Sequence, residues 1–394
     1  MKNWLGSLHK FLFDMKFKLR SMSWQPTDER KRPAGPVIIS GFFDEVLGIG
    51  RAGRLTVDAF RSAGFEVMQQ DLRPLHNGLL TTPPLPFPQG RNATVWLIHA
   101  NPPEAKIALF SLKVSDWQHL YRIGYWAWES DLAPDAWLNA APWFHELWVP
   151  SVYVQDAFCR AFTTAGMAEY SAKLRVVPHP QPLSPSRPAT QESTFRVLTI
   201  FDARSGFERK NPTGAIASWL QAFPRPVDGA ILTVKSPRDS AFHPEYKALV
   251  SLAKGRPDIQ FLAKDLSNLE QEALFDSHNS ILSLHRGEGF GLPLAEAMAR
   301  GHCAIATGYS GNLDFMTSEN SVLIPWVKVS ASNAFNGSRA NWAEPDVAAA
   351  ARALRTLAND PERRQILGNA ARRTFQNLNA KQKEMFTNWI WVEY

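Results

Sequence analysis

The sequence predicts an α/β protein built from two doubly wound, Rossmann-like domains that face a central cleft. Three observations predict it. From Pro36 onward, short apolar runs alternate with helical patterns. The alternation breaks once, at a stretch with Pro182, Pro185 and Pro188 among Ser, Thr and Gln, and then restarts. The chain has 394 residues, too many for one ordinary core, and its 45 % hydrophobic and 20 % charged residues are the balance of a packed chain rather than a disordered one.

Residues 1–32 form a segment of their own. They hold eight Lys and Arg against three Asp and Glu, so most of the chain's net charge of +6 lies here. Trp4, Leu8, Phe11, Leu12, Met15, Leu19 and Met22 recur at helical spacing, with Lys2, Lys10, Lys16 and Arg20 mainly on the other side. Two readings stay open. Residues 1–25 lie on an anionic membrane surface as a basic amphipathic helix, or they pack on the protein's own surface. Gln25–Gly35 is a polar connector. The remaining body is nearly neutral, which argues against nucleic acid as a partner.

The first domain, residues 33–182, starts with a strand over Val37–Phe43. Gly48-Ile49-Gly50 reads as a tight turn, Ala52–Ala63 as a helix and Phe65–Gln70 as the next strand. Further strands fall at Thr94–Ala100, Arg122–Trp128, Glu146–Pro150 and Leu174–Val177. Residues 183–194 have a linker's composition. The second domain, residues 195–376, has strands at Phe195–Phe201, Ala230–Lys235, Ile259–Ala263, Ser280–Leu284 and Cys303–Ala306. Its helices fall at Asn211–Phe223, Tyr246–Leu252, Leu269–Asp276, Leu292–Arg300 and Asp346–Leu357. A last helical segment occupies residues 377–394. No run of 18 apolar residues suggests a membrane span, and no leader-like start suggests a signal peptide. Cys159 and Cys303 lie far apart in no motif, which fits a reducing, cytoplasmic setting.

The stretch richest in chemistry is His285-Arg286-Gly287-Glu288-Gly289-Phe290-Gly291-Leu292-Pro293-Leu294-Ala295-Glu296. A buried strand runs into a glycine-rich turn and then into a helix with Pro293 near its first position. Gly287, Gly289 and Gly291 allow close approach of the backbone to a ligand. The helix start at Gly291–Leu292 favours an anion such as a diphosphate. Glu288 lies at the cleft rim, and Glu296 can accept two hydrogen bonds from a sugar diol. Asp202-Ala203-Arg204-Ser205 ends an earlier strand, and Glu208-Arg209-Lys210-Asn211-Pro212 opens a helix. Arg204 and Lys210 thus stand at a strand's carboxyl end and a helix start, and both side chains suit a phosphate. Arg209 reads either as a helper to these two or, by preference, as a solvated helix-start residue. Lys235 is a strand-end lysine at the same edge.

The string from Glu288 to Glu296 resembles the paired-glutamate motif of retaining glycosyltransferases of family 4, which have the GT-B fold. The resemblance runs from about Val37 to the C-terminus and is tight in Asp202–Asn211 and Glu288–Met316. It implies Glu288, Arg204 and Lys210 as catalytic residues. It implies donor contacts from Glu296, Gly289, Phe290, Gly291, Leu292 and Lys235, with Gly48 and Gly50 near the phosphates. Thr307–Met316 is similar to a loop beside the donor, and Lys381–Val392, with Phe386, Trp389, Ile390 and Trp391, matches a helix that crosses back to the first domain. Ile98–Pro102 and Ile123–Glu129 resemble a bacterial polysaccharide and lipopolysaccharide branch. They offer His99, Asn101, Trp126, Trp128 and Glu129 to the acceptor side. Core aromatics and a satisfied strand-end histidine explain the same residues equally well.

The expected activity is hexose transfer, with mannose from GDP-mannose favoured, to a lipid-linked or growing bacterial glycan. The enzyme is then cytoplasmic or peripheral on the cytoplasmic face of the inner membrane. No Asp-x-Asp or His/Asp cluster has metal spacing, so neither metal nor cofactor is expected. A glycoside hydrolase using Glu288 and Glu296 needs its carboxyls on opposite sides of one bond, whereas eight helical residues span about 12 Å along an axis. A non-catalytic sugar-binding protein has no need of the Arg204, Lys210, Glu288 and Glu296 set.

Overall fold

A computed structural model describes Met15 and residues 36–44, 48–73, 95–112, 114–183, 194–203, 206–331 and 340–388. The basic N-terminal segment, the connector before Pro36, most of the linker, Arg204 and the aromatic cluster Trp389–Trp391 fall outside the described residues, Met15 apart.

The first domain runs β1 (Val37–Gly41), α1 (Gly48–Ser62), β2 (Val67–Asp71), β3 (Val95–Ile98), α2 (Pro102–Ser111), α3 (Val114–Trp117), β4 (Tyr121–Tyr125), α4 (Asp135–Leu138), β5 (Glu146–Val149), α5 (Val152–Thr164) and β6 (Leu174–Val176). Its strands form one parallel sheet in the order β2-β1-β3-β4-β5-β6. Such strands are covered on both faces, so they read as continuous apolar runs. Val37–Gly41 is buried throughout, with Val37 and Ile39 in one core and Ile38 in the other. Ser151 caps α5 by accepting from the Val154 amide at 3.2 Å.

The second domain continues with β7 (Phe195–Ile200), α6 (Phe207–Lys210), α7 (Pro212–Ala222), β8 (Ala230–Ser236), α8 (Pro244–Leu252), β9 (Ile259–Ala263), α9 (Asn268–Asp276), β10 (Ser280–Ser283), α10 (Leu292–Ala299), β11 (Cys303–Thr307) and β12 (Val322–Ile324). Its parallel sheet has the order β12-β11-β10-β7-β8-β9. Asn211, with φ +48°, caps α7 by accepting from the Gly214 amide, and Pro212 follows in the first turn. Ser267 and Glu270 form a capping box at α9. An antiparallel hairpin, β13 (Trp326–Ser330) with β14 (Asn341–Pro345), precedes α11 (Val347–Ala358) and the 28-residue α12 (Pro361–Asn388).

Four expectations change. Gly48-Ile49-Gly50 is the first turn of α1, not a separate loop. The fourth strand stops at Tyr125, so Trp126–Glu129 is a loop at its carboxyl end. The hairpin β13–β14 has no counterpart in the reading of the sequence. The last helix starts at Pro361 and is continuous with the second domain.

At about 1.5 Å per residue, α12 reaches some 42 Å, long enough to serve both domains. Phe375 packs in the second core, 5.2 Å from Phe315. Phe386 packs in the first, 4.8 Å from Phe60 and 5.9 Å from Trp148. Between them, Asn379 exchanges two hydrogen bonds with the Gln181 backbone. Among the described residues, no helix is long and apolar enough to cross a membrane.

Candidate active site

The carboxyl ends of the two sheets face one another across a cavity of about 390 Å³. Twelve of the residues singled out in the sequence line it: Glu288, Lys210, Glu296, Gly289, Phe290, Gly291, Leu292, Lys235, Gly48, His99, Asn101 and Glu129. Gly50 is buried inside α1 and does not line it. Arg204 falls outside the described residues.

Glu288 follows β10, in the turn before α10. It is 7 % exposed, and its carboxylate takes an ion pair from Lys210 on one oxygen and Arg209 at 3.4 Å on the other. Burial alone would raise its proton affinity, but Lys210 and Arg209 outweigh burial and hold the carboxyl at about 2. Burial in turn lowers the Lys210 ammonium, and Glu288 offsets part of that. The Glu288 carboxylate is therefore ionised at neutral pH, with Lys210 and Arg209 gathered around it.

Arg209 corrects the sequence reading. It is 6 % exposed rather than solvated. Its guanidinium donates to the Gly287 carbonyl at 2.8 Å and approaches Glu129 of the first domain at 3.8 Å. Spacing along the chain gave no sign of this, because its partners lie some 80 residues away on either side.

The turn is braced from behind. Ser310, at φ +78°, accepts from the Glu288 amide at 2.9 Å, and the Gly311 amide donates to the Glu288 carbonyl at 3.0 Å. The buried His285 bridges Ser283 to Tyr309 and Asn312. Gly291, at φ +93°, takes the N-cap position of α10, a conformation that L side chains rarely adopt. Gly287 and Gly289 also meet a demand that the sequence did not show. A Cβ on Gly287 would lie 2.3 Å from the Glu129 carbonyl oxygen, and one on Gly289 would lie 2.7 Å from that of Trp128. These two glycines admit the backbone of the opposite domain, and Gly289 lines the cavity as well.

Glu296 faces the same cavity one turn into α10 and is 3 % exposed. Burial raises its carboxyl, and Arg51 and Arg300 partly oppose this. Arg51 of α1 reaches across the cleft to Oε1 at 2.8 Å, Arg300 approaches the same oxygen at 3.4 Å, and Gln271 donates to Oε2 at 3.3 Å. Arg51 and Gln271 were not singled out in the sequence. Lys235 lines the cavity, donates to the Ser236 carbonyl and is lowered by burial. Pro237, Leu266, Leu274 and Phe275 give that end an apolar lining.

The first-domain wall is aromatic. His99, at the end of β3, stacks on Tyr125 with ring centroids 4.3 Å apart, and Tyr125 stacks on His179 at 5.0 Å. Both His99 ring nitrogens are buried without a hydrogen-bond partner, and burial lowers the ring to about 4, so it is neutral. The Asn101 Oδ1 accepts from the Ala127 amide at 2.9 Å and fixes the loop after β4. Two acceptor-side expectations are corrected. Trp126 is fully buried between Phe144 and Phe158, so its ring is core. Trp128 donates to the Leu132 carbonyl and packs edge-on against Trp137; its side chain does not line the cavity. Among the described residues no group of three or more His, Cys, Asp or Glu is placed to hold a metal.

Residues 253–374 match the family of Glycosyl transferases group 1. No curated protein matches the sequence. Among solved structures, sucrose-phosphate synthase from Thermosynechococcus elongatus superposes with a TM-score of 0.64 at 13 % identity, covering 90 % of this chain and 98 % of that one. HepE from Anabaena, in complex with UDP and glucose, gives 0.60 at 11 % identity over 90 % and 98 %. TarM from S. aureus, in a complex that includes UDP, gives 0.57 at 10 % identity over 76 % of this chain. This chain spans only 55 % of the TarM chain. The two facing sheets thus have the GT-B fold, and the match to Glycosyl transferases group 1 lies within the second domain.

Proposed function

We propose that this chain, whose second domain contains the match to Glycosyl transferases group 1, is a retaining transferase that moves a hexose from a nucleoside-diphosphate sugar to a glycan. One observation carries the reading: the buried Glu288 carboxylate held between Lys210 and Arg209 at the mouth of α10. A single carboxylate does not need two cations and a helix start for its own sake. The excess positive charge suits a diphosphate that becomes more negative as it leaves. Preorganised charge of this kind commonly accounts for more of an enzyme's rate enhancement than any other effect.

In this reading Lys210, Arg204 and the amides at Gly291–Leu292 grip the diphosphate, and Lys235 stands near it. Glu288 holds the donor sugar and Glu296 the nucleotide ribose. The base lies toward Pro237 and Leu266. The acceptor hydroxyl enters from the His99 and Glu129 side and attacks from the face that the diphosphate leaves, which keeps the anomeric configuration. In this reading Lys210, Arg209 and Arg204 take up the leaving charge, and the reaction calls for no metal. GDP-mannose is the first donor to try, as the sequence suggests. The UDP in the HepE and TarM complexes makes UDP-hexoses the second. The acceptor is a lipid-linked or growing bacterial glycan, reached at a cytoplasmic membrane face through residues 1–25.

The test is a panel of nucleotide sugars and nucleoside diphosphates measured by shift of the melting transition. Binding stabilises by mass action, about 2.7 kcal/mol at a hundredfold excess over Kd. A shift with at least one nucleoside diphosphate, followed by turnover of the matching sugar with unchanged anomeric configuration, is expected. No shift with any of them would end the proposal. Deleting residues 1–25 is expected to move the protein from the membrane to the soluble fraction; unchanged partitioning would show that they are not the anchor.

A further inference from the structure

The carboxylate assigned to the ribose is already engaged. Glu296 Oε1 carries two guanidinium groups and Oε2 carries the Gln271 amide. The two arginines differ in how they are held. Arg300 lies one turn along the same helix, pairs with Asp276 at 2.9 Å, stacks over Phe275 and is 7 % exposed in its side chain. Arg51 comes from the other domain, is 20 % exposed in its side chain and lines the cavity. It holds Glu296 through Nη2, while its Nε is buried with no hydrogen-bond partner. A guanidinium used at one nitrogen with another desolvated and unmatched lacks an acceptor.

That acceptor has a place to come from. Arg51 is one turn along α1 from Gly48, and a Cβ on Gly48 would lie 3.7 Å from Leu292 at the start of α10. Arg51 therefore stands on the turn of α1 that meets Leu292, beside the helix start that the proposed function gives to the diphosphate, while its guanidinium holds the ribose carboxylate. A phosphate oxygen there would satisfy Arg51 Nε and, being more highly charged than a carboxylate, would draw the guanidinium away from Glu296.

Resting on the reading of Glu296 as the ribose ligand, we propose that Arg51 is a specificity-determining residue that makes ribose binding conditional on phosphate. A bare nucleoside competes with Arg51 for Glu296 Oε1. A nucleoside diphosphate gives Arg51 a phosphate instead and frees that oxygen for a ribose hydroxyl. The two subsites are then coupled through one side chain, and the enzyme discriminates against nucleosides that lack phosphate.

Calorimetry on the full chain with UDP against uridine, and GDP against guanosine, tests this. In Arg51→Gln, affinity for the diphosphate that binds should fall about tenfold, as for a lost charge-assisted contact. Affinity for the matching nucleoside should hold or rise. Arg51→Lys, which keeps a charge at the same place, should recover part of the diphosphate affinity. Equal losses for diphosphate and nucleoside in Arg51→Gln would overturn the proposal, since that is what a merely structural ion pair gives. Glu296→Gln separates the two readings. A drop in nucleoside affinity there supports the ribose assignment whatever Arg51 does, and no change in either ligand would remove that assignment and the coupling together.

Discussion

The two walls of the cleft are built from opposite materials. On the second-domain side the polar groups are charged, buried and paired: Glu288 with Lys210 and Arg209, Glu296 with Arg300 and Gln271. On the first-domain side the buried groups are neutral rings, His99 on Tyr125 on His179, with two ring nitrogens left unmatched. Glu129 and Arg51 are the cleft-lining groups that carry charge from this side to the other wall. A wall of fixed charges suits a substrate whose charge changes during reaction. A wall of stacked neutral rings suits one that brings apolar faces and hydroxyl groups. The contrast is what the proposed function needs, with the donor on the charged wall and the acceptor on the ring-lined one.

The comparison can be broken from either side. The largest effect is expected at the charged wall: Lys210→Ala should lower kcat about 10²–10³-fold, with the circular dichroism spectrum unchanged. Turnover near normal would take Lys210 out of the phosphate site. Next comes the way the walls approach each other. Gly287→Ala puts a methyl 2.3 Å from the Glu129 carbonyl, so the domains must separate or twist. A misplacement on the order of 1 Å costs about 10²-fold in rate, which steady-state kinetics would register as a fall in kcat while the protein stays folded.

The neutral wall is probed by acid. His99 is held at about 4 against an ordinary 6.5, and His179 is also lowered well below its ordinary value, both chiefly by burial. Between these values the unfolded chain binds protons that the native one refuses. Stability should therefore fall as pH drops from about 6.5 through about 4. His99→Phe should flatten part of that slope in urea titrations across this range, and an unchanged slope would mean that the ring is not kept neutral. The smallest effect is a null one: chelation by EDTA should leave the rate unchanged, and a loss restored by Mg²⁺ would mean that the protein cations do not suffice.

Legibility in the sequence followed the same division. Strands such as Val37–Gly41 and Val95–Ile98 were visible because burial on both faces leaves a nearly continuous apolar run. The Glu288–Glu296 string was visible because strand, turn and helix start each carry their own signal within twelve residues. Trp126 and Trp128 were ambiguous for the reason that made the strands clear, since an apolar ring at a strand end belongs equally to a core or to a cleft. Arg209 read as a solvated charge and Arg51 was not singled out, because their partners, Gly287, Glu129 and Glu296, are remote in sequence. Gly48–Gly50 looked like a loop because glycine signals a turn, yet tertiary packing carried it into α1. The hairpin stayed hidden because β13 is mostly exposed and carries no buried alternation.

The final helix has a consequence for taking the enzyme apart. Its middle is packed with the second domain through Phe375 and its last turns with the first domain through Phe386. A first domain expressed alone, ending near Gln181, would expose the surfaces of Phe60 and Trp148 that Phe386 covers and be prone to self-association. A peptide covering the end of the helix, added in trans, would be needed to restore it.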